Sequence, residues 1–305
     1  MKKKYKLTEE SISYNGKTLY RIESVRDFSN NFSEVKKGQK GGFIESEYNL
    51  SHEGDAWVYY NAKVWGNARV FGNANIHDYA CIFGNARVYD YAKVYGDAEV
   101  YGNALVYGNA SVYDNAMVSG NAIVCGNVSV SDNASIYGEA RVSCYAWVFG
   151  NAKVSGNASV SDNARVYEDA KVSDYACVSD NTFVKNNARV FDNAKVSGNS
   201  CVCDNAWVFG NANVSGKAMV SGNAKVSGDA NVCADEDYIV FKNWWSSHRY
   251  FTWTRSNNMW KVGCFYGSGE ELIKKAYKDS EKSGREYERV VKYVESILSD
   301  EKKYI

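Results

Sequence analysis

Few residues in this chain could do chemistry, and their spacing narrows what that chemistry is. There are three histidines, His52, His77 and His248. Neither His52 nor His248 has an Asp or Ser spaced as a partner for proton transfer. His77 stands in a column of positions otherwise held mostly by tyrosine, so it is only a weak candidate for a general base. No other residue is assigned a catalytic role. The eight cysteines form no CxxC pair, and Cys201 and Cys203 on one strand do not make a metal set. Scattered thiols without secretory context predict free cysteines in a reducing compartment. No phosphate loop occurs, so no cofactor or metal is predicted. What remains is a basic and aromatic series. Lys153, Lys171, Arg189, Trp207 and Lys225 recur at intervals of eighteen residues, with Phe191 and Phe209 close by.

That interval belongs to a repeat. Every sixth residue from Val58 to Val232 is Val or Ile, thirty positions without exception. Two residues before each sits Ala in twenty-seven of the thirty; Val128, Thr182 and Ser200 are the others. Ala-x-Val reads as a short strand with Ala and Val inward and x outward, because side chains alternate. The next three residues read as a turn. Its second position is Gly or Asp in twenty-five hexads and its third is Asn in twenty. These residues tolerate positive φ, so one bend recurs at every hexad. A helix would need a 3.6-residue period. A coil that turns by the same angle every six residues satisfies the pattern.

Stretches such as Val100-Tyr-Gly-Asn-Ala-Leu-Val106 resemble the hexapeptide repeat of the left-handed parallel β-helix family, which includes trimeric acyltransferases. The resemblance covers residues 56–232. It implies an all-β fold, a single left-handed parallel β-helix with three hexads per coil, hence about ten coils and about 48 Å of stack at about 4.8 Å each. It also implies a possible homotrimer. The lead-in Gly41-Gly42-Phe43-Ile44-Glu45 to Gly54-Asp55-Ala56-Trp57-Val58 resembles the front cap of bacterial hexapeptide proteins labelled as acyltransferases. Thr252-Trp253-Thr254-Arg255 to Val262-Gly263-Cys264-Phe265 resembles a module that ends many β-helix proteins of gut Firmicutes and their phages.

Three units follow. Residues 1–55 form an N-terminal β cap, with strands 12–14 and 18–22 joined at Asn15-Gly16. Residues 56–234 form the coil. Residues 235–305 form a C-terminal α+β cap. Its strands are expected near 238–242, 249–255 and 259–266. A short helix follows Gly267-Ser268-Gly269. A longer one starts near Gly284, with Tyr287, Val290, Val291, Val294, Ile297 and Leu298 on one face.

Stacking at eighteen residues makes surface ladders. Tyr59, His77, Tyr95 and Tyr113 form one column; Phe71, Tyr89 and Tyr107 form another. They are candidates for packing within the sheet or for a subunit interface, the latter assigned to Tyr59, Phe71, Tyr89, Tyr95, Tyr107 and Tyr113. The residue before the inward Val is Lys or Arg in eleven hexads and acidic in one, while Asp crowds the turns. The column of Lys153, Lys171, Arg189, Trp207 and Lys225, with Phe209, is therefore either a solvated face countered by corner carboxylates or an anion-reading stripe. In the C-terminal cap, Trp245, Arg249, Trp253, Arg255 and Trp260 either plug the last coil or recognise a partner.

Thirty-six Lys and Arg balance thirty-six Asp and Glu. Zero net charge speaks against a general nucleic-acid or membrane binder, although local segregation leaves nucleic acid open. No apolar run suits a signal peptide or a membrane span, so a cytoplasmic protein is expected. The reading favoured is a non-enzymatic β-helix scaffold of bacterial or phage type that presents basic and aromatic ladders to a protein, a nucleotide or another anionic partner. The alternatives are an acyltransferase-like enzyme and a polymer-forming scaffold.

Overall fold

The structure, a computed structural model, describes residues 3–30 and 33–301. The repeat folds as a parallel β-solenoid. Each hexad contributes a two-residue strand, as at Lys93–Val94 and Glu99–Val100. Strands pair with those eighteen residues away, Lys93 with Ser111 and Val94 with Val112, without a register shift along the repeat. Three sheets result, two of ten strands and a third of thirteen that continues into the N-terminal cap. The inward Ala and Val side chains are wholly buried along the length and fill the coil as one continuous core. Thr182 and Ser200, the polar residues in the Ala column, are buried with their hydroxyls donating to the carbonyls of Ser179 and Ser197 at 2.5 and 2.7 Å. A hydroxyl fits there because the turn carbonyl three residues back accepts it.

The turn explains its own composition. The second turn residue has positive φ in every hexad from Gly54 to Gly228, including thirteen that are not glycine, nine of them Asp. Asp is favoured because its carboxylate accepts the amide of the same turn position one coil on, as Asp132 does from Gly150 at 2.8 Å and Asp192 from Gly210 at 3.0 Å. Asn at the third position forms amide ladders, Asn85 to Asn103 to Asn121 at 2.9 Å per step.

Three amides of a typical hexad donate forward, toward the C-terminal end. Lys93, Tyr95 and Asp97 donate to the carbonyls of Ala110, Val112 and Asp114 at 2.8, 3.0 and 2.8 Å. The front of the stack therefore presents carbonyls and the back presents N–H groups, and the two caps answer with opposite chemistry. At the front, the backbone amides of Phe43, Glu45 and Ser51 donate to Ala62, Val64 and Val70. The Asn49 amide donates to Gly66 and Ala68, and the buried Lys4 ammonium to Gly54 and Ala56 at 3.1 and 2.8 Å. At the back, side-chain oxygens accept. Asp235, Tyr238, Thr252, Ser256 and Asp237 take the amides of Met219, Ser221, Lys225, Asn231 and Cys233 at 2.7–3.2 Å.

The strand Lys40–Ile44 lies parallel to Lys63–Val64 and Leu50 bridges Val70, so the stack begins ahead of Ala56, where the strict phase starts. Gly41 and Gly42 permit that approach, since a Cβ on either would come within 2.6 Å of a carbonyl oxygen of the next coil. The hairpin is longer than its sequence signal, Tyr5–Tyr14 and Lys17–Ser24 around Asn15-Gly16. In the C-terminal cap the expected strand 259–266 is two, Met259–Val262 and Phe265–Gly267, folded back at Gly263. Helix α1 spans Gly269–Asp279 and α2 spans Glu281–Glu301, three residues earlier than Gly284. No helix among the described residues is long and apolar enough to cross a membrane. The eight cysteines are free.

Burial pushes Lys4 down from its usual 10.5 to about 8, against the pull of Asp55. Below pH 8 the folded state carries a buried ammonium at a cost. Between about pH 8 and 10.5 it loses a proton that the unfolded chain keeps. Relative to Lys4→Met, the wild type should gain stability on the order of 3 kcal/mol as pH rises through that window. Urea unfolding of both proteins at pH 7.5 and 10 checks this, and a pH-independent difference contradicts it.

Candidate functional site

Strand alternation sends the residue before each inward Val outward, and in-register pairing then sets like positions one above another. On the sheet that carries Lys153, Lys171, Arg189, Trp207 and Lys225, each of these residues pairs directly with the next. The stripe expected from the sequence is thus physically contiguous. Among the described residues no carboxylate lies within ion-pair distance of its four cations. Of the corner carboxylates that border this sheet, Glu168, Asp174, Asp192 and Asp204 each accept a backbone amide of the next coil. Asp169 lines the same hollow as Lys153 and Lys171 and accepts the Asn151 amide at 3.0 Å.

Trp207 separates two of the cations. The Arg189 guanidinium lies 5.0 Å from its ring centroid on one side and the Lys225 ammonium 4.4 Å on the other. The negative faces of the indole thus attract both and hold them two coils apart, which lowers their mutual repulsion. Phe191 meets Trp207 edge-on at 5.9 Å and stacks on Phe209 at 4.9 Å.

The C-terminal cap completes this surface in a way the sequence did not indicate. A hollow of about 460 Å³ opens between the last coils and the cap, walled by Arg189, Trp207, Lys225, Arg249 and Tyr250 and by Asn187, Asn205 and Asn223. A second hollow of about 350 Å³, lined by Lys153, Asp169, Lys171 and Asn151, shares Asn187 and Arg189 with the first. Together they form one groove along the coil, closed at one end by the cap. The Arg249 side chain passes over Gly263, where a Cβ would sit 3.3 Å from its Cδ. Gly263 also has positive φ, so both the fold-back and the path of Arg249 use the missing side chain. Lys261 joins from the cap with its ammonium 5.4 Å from the Phe209 ring. Burial, and then the neighbouring Lys225, lower its pKa.

The other cap candidates divide. Trp253 and Trp260 are buried with Phe251, Leu272 and Val291 in the cap core and do not reach a partner. They face inward because the sheet packs its odd-numbered side of Phe251–Trp253 against the helices, while Thr252 turns to the coil. Trp245, Arg249 and Arg255 are at the surface.

Among the aromatic candidates, Tyr59 is buried, its hydroxyl bonded to Asn30 and Ser33 of the front cap, so it is unavailable to another subunit. Phe71, Tyr89 and Tyr107 stack face to face at 4.8 Å per step, and Tyr95 stacks on Tyr113 at 4.9 Å. Their faces cover one another and their edges remain half-exposed. A third ladder, Trp65, Phe83 and Tyr101, was not singled out from the sequence; eighteen-residue spacing would have found it. His77 stacks on Tyr95 at 4.7 Å, is nearly buried, and has Nδ1 3.0 Å from Asp78. Burial lowers its pKa more than Asp78 raises it. His52 packs on Tyr5 at 4.3 Å and accepts the Lys4 amide. His248 occupies an exposed turn with positive φ.

A family model described as the YdcK beta solenoid repeat matches residues 98–113 and 110–126, and the chain is similar to that family there. No curated protein matches the chain. The matched stretch lies in the repeat and stops short of the groove. It supports a β-solenoid repeat protein and carries no activity.

The ladders are expected to contribute stability. Tyr95, between His77 and Tyr113, should lose about 1–3 kcal/mol on replacement by Ala and well under 1 kcal/mol on replacement by Phe, which keeps the stack. Urea denaturation of the two variants checks this, and equal losses contradict it.

Proposed function

We propose that this β-solenoid is a non-enzymatic binding protein whose basic groove holds an anionic partner. The observation that carries this reading is the run of Lys153, Lys171 and Arg189, continued by Lys225 and Arg249, with no ion-paired carboxylate among the described residues. Like charges one coil apart repel. A chain that lines them up with no carboxylate at ion-pair distance leaves a field that an anion would relieve. The groove walls also carry side-chain amides and an aromatic edge, so the surface can add directional contacts to charge. The packing of His77 inside a ladder supports a stabilising role for that residue. Cap side chains over the last strands support a discrete rod in preference to a head-to-tail polymer.

Replacing Lys171 and Arg189 together by Glu inverts the centre of the stripe on exposed positions. Binding of heparin or tripolyphosphate, followed by isothermal titration at low salt, should fall at least about a hundredfold while circular dichroism stays unchanged. Unchanged affinity in a folded double variant contradicts the reading.

A further inference from the structure

The groove has a second periodic feature beside its charge. Each coil contributes a pair of outward groups two residues apart, and successive pairs are Asn151 and Lys153, Asp169 and Lys171, Asn187 and Arg189, Asn205 and Trp207, and Asn223 and Lys225. One column offers cations and the column beside it offers amides or a carboxylate, both repeating at the coil rise of about 4.8 Å. Most other stacked pairs of third-turn asparagines bond rung to rung, as Asn163, Asn181 and Asn199 do at 3.1 and 3.2 Å. Among the described residues Asn187, Asn205 and Asn223 make no such bond, and all three line the hollow at the cap. Their amides present both a donor and an acceptor toward the same space that Arg189, Lys225 and Arg249 enter.

From this double ladder, and resting on the anion-binding reading above, we infer that the ligand is a linear acidic polysaccharide with one carboxylate per sugar, lying along the coil axis. Three features select it. The groove runs from Lys153 to Lys225 over four coil steps, about 19 Å, and is open along its length, so it suits a chain more than a single phosphate. One sugar of an extended polyuronate is close in length to one coil rise. Successive sugars of such a chain are turned relative to one another, so alternate sugars would set a carboxylate at the cation column while the hydroxyls of those between meet the amide column. Hydroxyls need partners that both donate and accept, and Asn supplies both where Lys and Arg only donate. A nucleic acid fits less well. Both faces of Trp207 are covered by Arg189 and Lys225, so the indole offers an edge and no platform on which a base could stack. The cap closes one end at Arg249, where a terminal carboxylate would find a guanidinium held over Gly263.

Isothermal titration of the full chain with galacturonate oligomers of one, three and six sugars tests this. Affinity should rise at least about tenfold from trimer to hexamer and be absent for the fully methyl-esterified hexamer. In the variant Asn187→Ala with Asn223→Ala, at exposed or half-exposed turn positions, the hexamer should weaken by about tenfold and polyphosphate by less than about threefold. Length-independent affinity, equal binding of the ester, or equal loss for both anions overturns the inference. Tighter binding of an oligothymidylate than of the hexamer also overturns it, in favour of nucleic acid, and leaves the anion-binding reading intact. Binding of no anion at all removes both.

Discussion

The structure depends on one interaction, the forward hydrogen bonding of parallel strands stacked in register at eighteen residues. Three amides of nearly every hexad donate to the next coil, as in Lys93, Tyr95 and Asp97. Because this bonding is backbone to backbone, the outward side chains are free to vary, and the inward ones are restricted to what a narrow coil holds. Because all strands run one way, the two ends are chemically different. The front cap must bring donors, and it does so with Lys4, Asn49 and three backbone amides; the back cap must bring acceptors, and it uses carboxylates and hydroxyls. A buried lysine at the front is thus a consequence of strand direction, and its depressed pKa is the cost of burial there.

The same register converts sequence columns into surface. A column of rings becomes a stack at van der Waals distance, and a column of cations becomes a field. The outcome differs along the rod. Near the front, Phe71, Tyr89, Tyr107 and their neighbours satisfy one another. Toward the back, Lys153, Lys171 and Arg189 have no such mutual solution. The corner Asp residues are occupied because positive φ at the turn leaves an amide one coil on that their side chains complete. Trp207 relieves part of the repulsion by standing between Arg189 and Lys225. The rest is left for solvent or a ligand.

The coil was legible because a six-residue period without insertion admits few backbones. The inward columns of Ala and Val, the turn at Asp and Gly, and the stripe from Lys153 to Lys225 all follow from counting. The caps were less so. The lead-in from Gly41 was read as part of a cap, yet nothing local said that Ile44 and Leu50 would extend the stack. Trp253 and Arg249 share a strand side by alternation, but Trp253 is core and Arg249 walls a hollow, because the helices cover only part of that side. Burial of Tyr59 likewise depends on Asn30 and Ser33, far from it in sequence. The groove itself needs the cap to be set on one particular sheet of the three, which is a tertiary relation that no spacing within the repeat records.

That relation can be altered without touching any residue of the site. Deleting the eighteen residues 123–140 removes one whole coil and leaves every column aligned. Deleting the six residues 212–217 keeps the hexad phase but turns Lys225, Arg249 and Lys261 to a different face from Lys153, Lys171 and Arg189. Titration of a polyanion into both proteins is the most direct test. The account predicts that the coil deletion binds as the full chain does, within about twofold, and that the hexad deletion, though folded, binds at least about tenfold more weakly. Equal binding by the two deletions would contradict the claim that register builds the site.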